Sequence, residues 1–476
     1  QYTFTVNVYR DCQGTSLDSI AGTISCGSNS FKFTPTKISI QDISTVCDQY
    51  NTNCDTGSSS YLGVEKHTYK YTIDFDKAPY STWRTNGCCN FIFSWSQYSR
   101  NGRITTGQAN KAMYADCSIN LCNIYKTRIQ HNNSPVLTPL STTLLICNKP
   151  VRINYGGKDH KEFDSLSYNL IYARSSVTNT LPPIIGMTYP MTPRCPITTQ
   201  TNCKAYPNTN PPFGFYLDQY NGDLVFTPAK CDEVGVVVVQ IQEWRRDSSG
   251  KALLVGTTMR DIELTVINAS SQNIPPEINS GKYYYTVCEG DSIDFTFFGK
   301  DDTVSGYAPD TVSLAWDNTI PNATFSIKDT NSREKEVTFA WRTKIGDANN
   351  GVYSFAVVAK DGNCPYEASS SKRFSIKVLA KSNGEIRTKP FRNNLEFDVE
   401  LDANFAGPAS YIWQVYDSID LTTPIHITAN KKDTIQFNKL GHFYFKLNLN
   451  NAYNCPNIVT DTFVLRSDTN LSPRIT

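Results

Sequence analysis

The amino-acid sequence predicts an all-β fold, with four β-sandwiches in series that are stapled by disulfide bonds. Apolar and polar residues alternate with period two in many segments, which is typical of half-buried strands. No segment shows the sustained 3.6-residue periodicity of an amphipathic helix. The chain has 476 residues and 15 cysteines. That length is too great for one core and favours several domains.

The strongest local signal is a β-hairpin followed by a third strand in Phe213–Trp244. Asn221-Gly222 suits the two positive-φ positions of a type I′ turn between apolar strands. Weaker copies of the closing strand recur in Gly351–Cys364 and Gly441–Cys455. These copies indicate a repeated sandwich core.

Strand patterns and linkers divide the chain into four domains. A cysteine-rich β-domain covers residues 1–130, and a β-sandwich with a long inserted loop covers residues 131–269. The third and fourth sandwiches cover residues 274–379 and 380–467, and residues 468–476 form a polar tail or linker. Pro275-Pro276 favours a stiff connector before the third sandwich.

Charge and hydropathy exclude several classes of function. Lys and Arg total 45 against 44 Asp and Glu, a net charge of +1. This balance gives no electrostatic case for nucleic acid or anionic lipid. No apolar run approaches the ~18–20 residues of a membrane helix. The chain begins directly in a strand at Gln1, and we expect a signal peptide to have been removed before that residue.

The cysteines predict disulfide bonds and an oxidising, extracellular or periplasmic compartment. Paired Cys-x-x-Cys or Cys/His sets for zinc do not occur. Adjacent Cys88 and Cys89 are each expected to bond elsewhere, because a vicinal bridge strains the peptide between them. Cys455 has no second cysteine in its module, which predicts either a free thiol or an intermolecular bridge, and we favour the free thiol. The predicted pairs are Cys47–Cys54, Cys117–Cys122, Cys147–Cys231, Cys195–Cys203 and Cys288–Cys364.

Motifs for catalysis do not stand out. The sequence shows no Gly-x-Ser-x-Gly, His-Glu-x-x-His or glycine-rich phosphate loop. The sequence leaves open a pair of glycosidase-type carboxylates, because the fold sets the distance between the two groups. We predict a non-enzymatic protein without catalytic or cofactor-binding residues.

Several motifs resemble known extracellular modules. Leu217-Asp218 followed by Asn221-Gly222-Asp223-Leu224 and Thr227-Pro228 is similar to a hairpin of cadherin-like and Ig-like modules. Trp316, Trp413 and Gly441-x-Phe443-x-x-x-Leu447 resemble Ig-like and polycystic-kidney-disease (PKD) repeats. By this resemblance the second domain is cadherin-like or Ig-like, the third Ig-like and the fourth PKD-like.

The order of these modules resembles large secreted surface proteins of Bacteroidota. Tyr9-Arg10-Asp11-Cys12 opens the first domain, and Asn132–Val136 (NNSPV) opens the second. The resemblance implies a gliding-motility-associated type of protein, exported by type IX secretion, although no C-terminal sorting domain is visible. It implies a structural or adhesive role at the cell surface, as a fibre or filament subunit, with other subunits or surface components as partners. The alternative is a carbohydrate-binding module array or an accessory protein to a glycan-acting enzyme, with exposed Tyr and Trp stacking on sugars.

The same resemblance suggests two kinds of modified or ligand-binding site. Asp-Ser/Thr followed by an aliphatic residue matches an O-glycosylation pattern of this phylum, although such pairs are also common turn starters. The candidates are Ser19, Ser165, Ser292, Thr303, Thr311, Ser418 and Thr434.

Calcium is the candidate metal, because cadherin-like modules bind it with clustered Asp oxygens. Asp301, Asp302 and Asp361 could converge at one end of the third domain. The corresponding loop of the second domain, Lys158–Asp164, contains two lysines that would repel a cation. The sequence favours solvated loop carboxylates over calcium ligands.

Overall fold

The protein is almost entirely β. The computed structural model describes residues 1–55, 61–121, 132–139, 144–159, 161–162, 164–184, 187, 189–247, 249–268, 273–302, 309–381, 386–393, 396–403, 409–437 and 439–465. Within these ranges the helical elements are α1 (Tyr80–Thr85) and one 3₁₀ turn, Asp347–Asn350. The all-β sandwich prediction is confirmed.

The N-terminal region contains a three-stranded sheet that packs on part of a larger sheet. Its strands are β1 (Tyr2–Asp11), β2 (Gly22–Cys26), β3 (Asn29–Phe33), β4 (Thr36–Asp42), β5 (Val64–Ile73), β6 (Asn90–Gln97) and β7 (Met113–Asn120). The small sheet has the order β1-β5-β4. Its alternating aromatic residues face inward, so that Phe4 of β1 stacks on Phe93 of β6 with ring centroids 3.5 Å apart.

The second region extends the larger sheet. Its strands are β8 (Val136–Leu137), β9 (Leu144–Ile146), β10 (Val151–Asn154), β11 (Gly157–Lys158), β12 (Ser165–Ile171), β13 (Ala173–Arg174), β14 (Thr180–Leu181), β15 (Tyr216–Leu217), β16 (Asp223–Phe226), β17 (Val234–Arg246) and β18 (Ala252–Ile267). The main path of this ten-stranded sheet is β12-β17-β18-β7-β6-β2-β3.

This sheet crosses the domain boundary that the sequence places at residue 130. Gly256 of β18 lies opposite Ile119 of β7, so strands from both predicted domains share one hydrogen-bonded ladder. Alternation along a strand shows which face is buried and does not show which strand lies beside it. The boundary therefore does not separate two independent sheets.

The valine-rich strand β17 is buried on both faces. Val237 and Val239 pack into a core with Phe226 and Leu264, beneath the small sheet β10-β16-β15. Val236 and Val238 face the opposite core. Burial on both sides explains the continuous apolar run.

The hairpin predicted around Asn221-Gly222 forms, but with a different turn. Leu217 pairs with Leu224, so six residues lie between the paired positions. Gly222 alone has a positive φ, 77°, and its N–H donates to the Asp218 carbonyl over 2.9 Å. The Asp218 carboxylate accepts from the N–H groups of Tyr220 and Asn221. The type I′ prediction is wrong because this Asp side chain organises a longer loop.

The third region contains two four-stranded sheets. Its strands are β19 (Glu277–Asn279), β20 (Tyr284–Cys288), β21 (Ser292–Lys300), β22 (Ser313–Trp316), β23 (Thr324–Ile327), β24 (Lys335–Arg342), β25 (Val352–Lys360) and β26 (Ser369–Leu379). The sheet orders are β19-β21-β24-β23 and β20-β26-β25-β22. Between them Phe339 stacks on Phe355, with ring centroids 4.4 Å apart.

The C-terminal region contains sheets of three and four strands. Its strands are β27 (Ile386–Asn393), β28 (Glu396–Ala403), β29 (Ala409–Asp417), β30 (His426–Thr428), β31 (Lys432–Phe437), β32 (Gly441–Asn451) and β33 (Asn457–Leu465). The sheet orders are β27-β28-β31 and β30-β29-β32-β33. Trp413 is fully buried in this core. This region and the segments Thr286–Ile293 and Arg342–Asn350 form one compact unit, and the rest of the chain forms another.

Candidate functional site

Six disulfide bonds lie in the described part of the chain. They are Cys12–Cys54, Cys26–Cys88, Cys47–Cys364, Cys147–Cys231, Cys195–Cys203 and Cys288–Cys455. Cys147–Cys231 and Cys195–Cys203 are pairs that the sequence predicts. Cys88 and Cys89 are each disulfide-bonded and, as expected for adjacent cysteines, Cys88 bonds elsewhere, to Cys26.

The predicted pair Cys47–Cys54 is wrong. Cys12 follows β1, its N–H donates to the Gly63 carbonyl, and its sulfur bonds Cys54. Cys47 instead lies in a segment whose backbone is hydrogen-bonded to the third region. Its N–H donates to the Pro365 carbonyl over 3.0 Å. Short spacing suggested a local loop, but backbone pairing with a distant segment decided the partner.

The predictions for Cys288 and Cys455 are also wrong. Cys288 bonds Cys455 and not Cys364, and Cys455 is therefore not a free thiol. The two cysteines come from different repeats and lie in the same compact unit. Comparing repeats one by one could not reveal a bond between them.

The remaining predicted pair, Cys117–Cys122, does not form. Cys117 carries a free thiol, and Cys122 lies outside the described residues. Burial raises the pKa of the Cys117 thiol to about 12. This thiol is consequently a poor nucleophile at neutral pH.

The calcium candidates divide into two buried carboxyls and one exposed carboxyl. Asp361 and Asp301 are only 2% and 5% exposed, while Asp302 is exposed. Asp361 accepts from the N–H groups of Asn363 and Ala368, and Asp301 from that of Asp310. One oxygen of each buried carboxyl has no hydrogen-bond partner among the described residues. The expectation of solvated carboxylates is wrong for these two residues.

Electrostatics at this cluster favour the neutral acid. Burial, followed by the nearby Asp301 and Asp310, raises the pKa of Asp361 to about 8. A divalent cation would instead lower it. The described ranges hold no group of three or more His, Cys, Asp or Glu side chains arranged to bind a metal.

The NNSPV segment anchors a buried polar network that sequence reasoning missed. Asn132 donates to a Glu243 carboxyl oxygen over 2.5 Å and accepts from the Arg245 guanidinium over 2.7 Å. Arg245 also binds both oxygens of Asp164, at 2.6 and 2.8 Å. The motif therefore joins the linker to strand β17 by hydrogen bonds. The sequence signal for this network was an acidic and a basic residue two positions apart, Glu243 and Arg245.

Glu243 is the most strongly perturbed member of this network. It is fully buried, and within the described ranges its second carboxyl oxygen has no hydrogen-bond partner. Burial raises its pKa to about 8 despite the hydrogen bond from Asn132. A Cβ at Gly256 would lie 2.8 Å from that oxygen, so glycine is required for this close approach of β18 to the carboxyl.

The loop Lys158–Asp164, weighed above as a degraded cation site, satisfies its own polar groups. Asp159 accepts from the N–H groups of Lys161, Glu162 and Asp164. With Asp164 bound to Arg245, a guanidinium neutralises part of the charge that a metal would otherwise neutralise. The arrangement is structural.

The described O-glycosylation candidates are accessible. Thr303 lies outside the described residues. The other candidates are exposed: Ser19, Ser165, Ser292, Thr311, Ser418 and Thr434. Exposure satisfies a steric requirement of modification, which stays a proposal.

The C-terminal four-stranded sheet exposes apolar residues on its outer face. Ile412 and Ile458 both lie opposite Asn448 in the register, and each is about half exposed. Ile427 is exposed on the edge strand β30. The preceding loop adds Ile419, which is 90% exposed, and Leu421. We call these five residues the isoleucine patch; contiguous exposed apolar residues often mark protein–protein interfaces.

Tryptophan platforms for sugars are not displayed. All six tryptophans are half-buried or buried. The large exposed aromatic residues include Tyr98 and Tyr220, and these are separate in sequence from the isoleucine patch.

In comparisons with known proteins, no protein-family model and no curated protein matches this sequence. Among solved structures, the chain is similar to an I-band fragment of titin, with 12% identity, a TM-score of 0.24, and coverage of 71% of this chain and 100% of that one. Four N-cadherin domains from Drosophila give 12% identity, a TM-score of 0.23, and coverage of 79% and 83%. Eight Ig domains of the Down syndrome cell adhesion molecule give 11% identity, a TM-score of 0.22, and coverage of 98% and 48%. These low TM-scores leave function to be argued from the residues of this chain.

Proposed function

We propose that this protein is a non-enzymatic, extracellular structural or adhesive protein that binds other proteins through exposed β-sheet surfaces. The isoleucine patch carries this proposal. Its members lie on the outer face, the edge and the adjoining loop of one sheet, next to the edge of β30 that pairs with no described strand. Exposed apolar side chains beside an open edge suit a protein partner that adds a strand or covers the face.

The disulfide framework supports the extracellular location. Twelve cysteines form the six described bonds, and several of these join segments far apart in sequence. Such bonds persist in oxidising compartments and are reduced in the cytosol. The described residues include no helix long and apolar enough to span a membrane.

The finer proposal is a fibre or filament subunit exported to the cell surface by type IX secretion. Only the sequence resemblance supports the export route. A glycan-binding role is supported only by single exposed tyrosines such as Tyr98 and Tyr220, because the tryptophans are not displayed for stacking on sugars.

Negative-stain electron microscopy of native material tests the proposal. Repeating filaments, or decorated partner surfaces, would support it. The variant Ile412→Lys/Ile458→Lys should abolish assembly or adhesion, because two buried charges cannot be accommodated at an apolar interface. Ile197→Lys, at an exposed isoleucine outside the patch, is the matched control. Monomeric particles, together with adhesion unaffected by the patch variant, would contradict the proposal.

A further inference from the structure

We propose that the disulfide bonds Cys47–Cys364 and Cys288–Cys455 close two overlapping loops. Together they form a covalent path through which a pulling force bypasses most of the chain. The first bond spans a sequence separation of 317 and the second one of 167. Cys288 lies inside the first loop, and Cys364 lies inside the second. The two loops therefore share the segment between residues 288 and 364.

The path follows from the connectivity alone. When the chain is pulled at residues 1 and 476, tension passes through Cys12–Cys54 to Cys47 and crosses to Cys364. From there two routes lead in parallel to Cys455. One follows the chain forward, and the other returns to Cys288 and crosses the second disulfide. Residues 55–287 lie on neither route.

The local structure holds the crossing points in place. Val46 forms a backbone bridge with Tyr366, and the ring of Tyr61 packs edge-on against that of Tyr366 at 5.7 Å. Cys47 is buried, and Cys455 is fully buried. Cys364 is exposed, so Cys288–Cys455 is the better shielded of the two bonds from reductants.

This arrangement keeps the ten-stranded sheet free of tension. The described bonds of that region, such as Cys147–Cys231, close loops that lie off the path. Its buried polar network depends on side-chain geometry that stretching would destroy. Unfolding by force is therefore confined to the third and C-terminal regions and to the first residues of the chain.

The inference predicts lengths that can be measured. At ~3.3–3.6 Å per extended residue, the fully stretched oxidised chain reaches about 40 nm and the fully reduced chain about 160 nm. Removing Cys47–Cys364 alone lengthens the path to at most about 55 nm, because Cys26–Cys88 and Cys147–Cys231 then shorten the remaining route. Removing Cys288–Cys455 alone adds only about 5 nm, because the direct route from Cys364 to Cys455 takes its place.

Optical-trap stretching of the full chain, with handles at its two ends, tests the inference. The oxidised wild type should stop lengthening near 40 nm and extend to about 160 nm after dithiothreitol is added to the same molecule. In that reaction each disulfide takes two electrons and two protons from the dithiol and becomes two thiols. The double variant Cys47→Ser/Cys364→Ser should extend beyond the wild-type limit and stop by about 55 nm.

The matched control is Cys147→Ser/Cys231→Ser, which removes a bond off the path and should leave the oxidised length unchanged. An oxidised wild type that extends clearly beyond about 40 nm would overturn the inference, as would lengthening of the control. Reduction of the wild type needs no folded variant, so the test holds even if a serine variant misfolds. The outcome does not depend on any partner, and it is separate from that of the imaging experiment.

Discussion

The ten-stranded sheet and the C-terminal sandwich achieve stability in different ways. Around the large sheet, charged groups are buried in pairs: Arg100 binds Asp261 at 2.6 Å, and Arg245 binds Asp164 at 2.6 Å. The described core of the C-terminal sandwich is apolar and centres on Trp413 and aromatic residues of β32. Buried pairs fix geometry but depend on both partners and on protonation. An apolar core depends on volume, and its sheet can expose other apolar residues for binding.

The largest expected effect comes from removing the centre of the apolar core. Trp413→Ala should destabilise the C-terminal sandwich by about 4–5 kcal/mol, because it leaves a large cavity and an unpaired Asn430 carbonyl. Peptide-resolved hydrogen exchange would show lost protection in β29 and β32. Ile412→Ala, at the neighbouring outward position, should cost less than about 1 kcal/mol. Equal losses for the two variants would contradict the assigned core.

Breaking a buried pair should rank second. Arg245→Met should destabilise the large sheet by about 3–4 kcal/mol, because Asp164 would remain buried without its partner. Chemical denaturation, followed with a probe in the large sheet, measures this change. Adding Asp164→Asn should recover part of the loss. If the second substitution gave no recovery, the pair would not be the source of the effect.

Because Glu243 is protonated in the folded state, the stability of the large sheet should depend on pH more strongly than that of the C-terminal sandwich. Its folded-state pKa of about 8 lies above the ordinary value of 4.5, so the folded state keeps a proton that the unfolded state has released. This contribution to stability is present at acidic pH and is lost as pH rises between those two values. Glu243→Gln should flatten this decline in the free energy of unfolding. Relative to wild type, the variant should gain on the order of 2 kcal/mol of stability at pH 8–9 compared with pH 5.

Denaturant titrations of wild type and variant at pH 5, 7 and 9 measure this effect. The C-terminal sandwich serves as the internal control, because Glu243 lies in the other compact unit. Parallel pH profiles for wild type and Glu243→Gln would exclude a neutral Glu243.

Arg260 tests whether every buried charge on the large sheet is paired. Its guanidinium lies 5.2 Å from the centre of the Tyr155 ring, and within the described residues it has no ion pair and one unpartnered nitrogen. Burial lowers its pKa. Arg260→Met should be neutral or stabilising by about 1 kcal/mol, as measured by thermal unfolding. Arg260→Lys keeps the charge and should give no gain, and a large loss in the Met variant would reveal an additional partner.

The smallest effect is expected from chelation. Asp301 and Asp361 retain buried oxygens but lack a third ligand among the described side chains. The melting temperature should therefore be unchanged by a calcium chelator at neutral pH. A decrease that calcium restores and magnesium does not would establish a calcium site.

Local patterns predicted the strands well, because alternation and turn residues act over a few positions. The alternating aromatic residues of β1 and the valines of β17 are clear examples. The same patterns failed for disulfide partners such as Cys47 and Cys455, because two cysteines bond when the fold brings them together, whatever their separation in sequence. The isoleucine patch was equally hidden, since exposure depends on which face of a sheet is covered.

The sequence by itself determined the all-β class, the repeated sandwich cores and the expectation of an oxidising compartment, because composition and period-two alternation express local physics. The tertiary structure alone decided that one sheet joins the first two regions, that Arg245 and Glu243 meet the NNSPV segment, and that Cys47 meets Cys364. Those outcomes depend on strand pairing between distant segments, where many registers satisfy the same alternation. Packing selects among them by the total burial and hydrogen bonding of the whole chain.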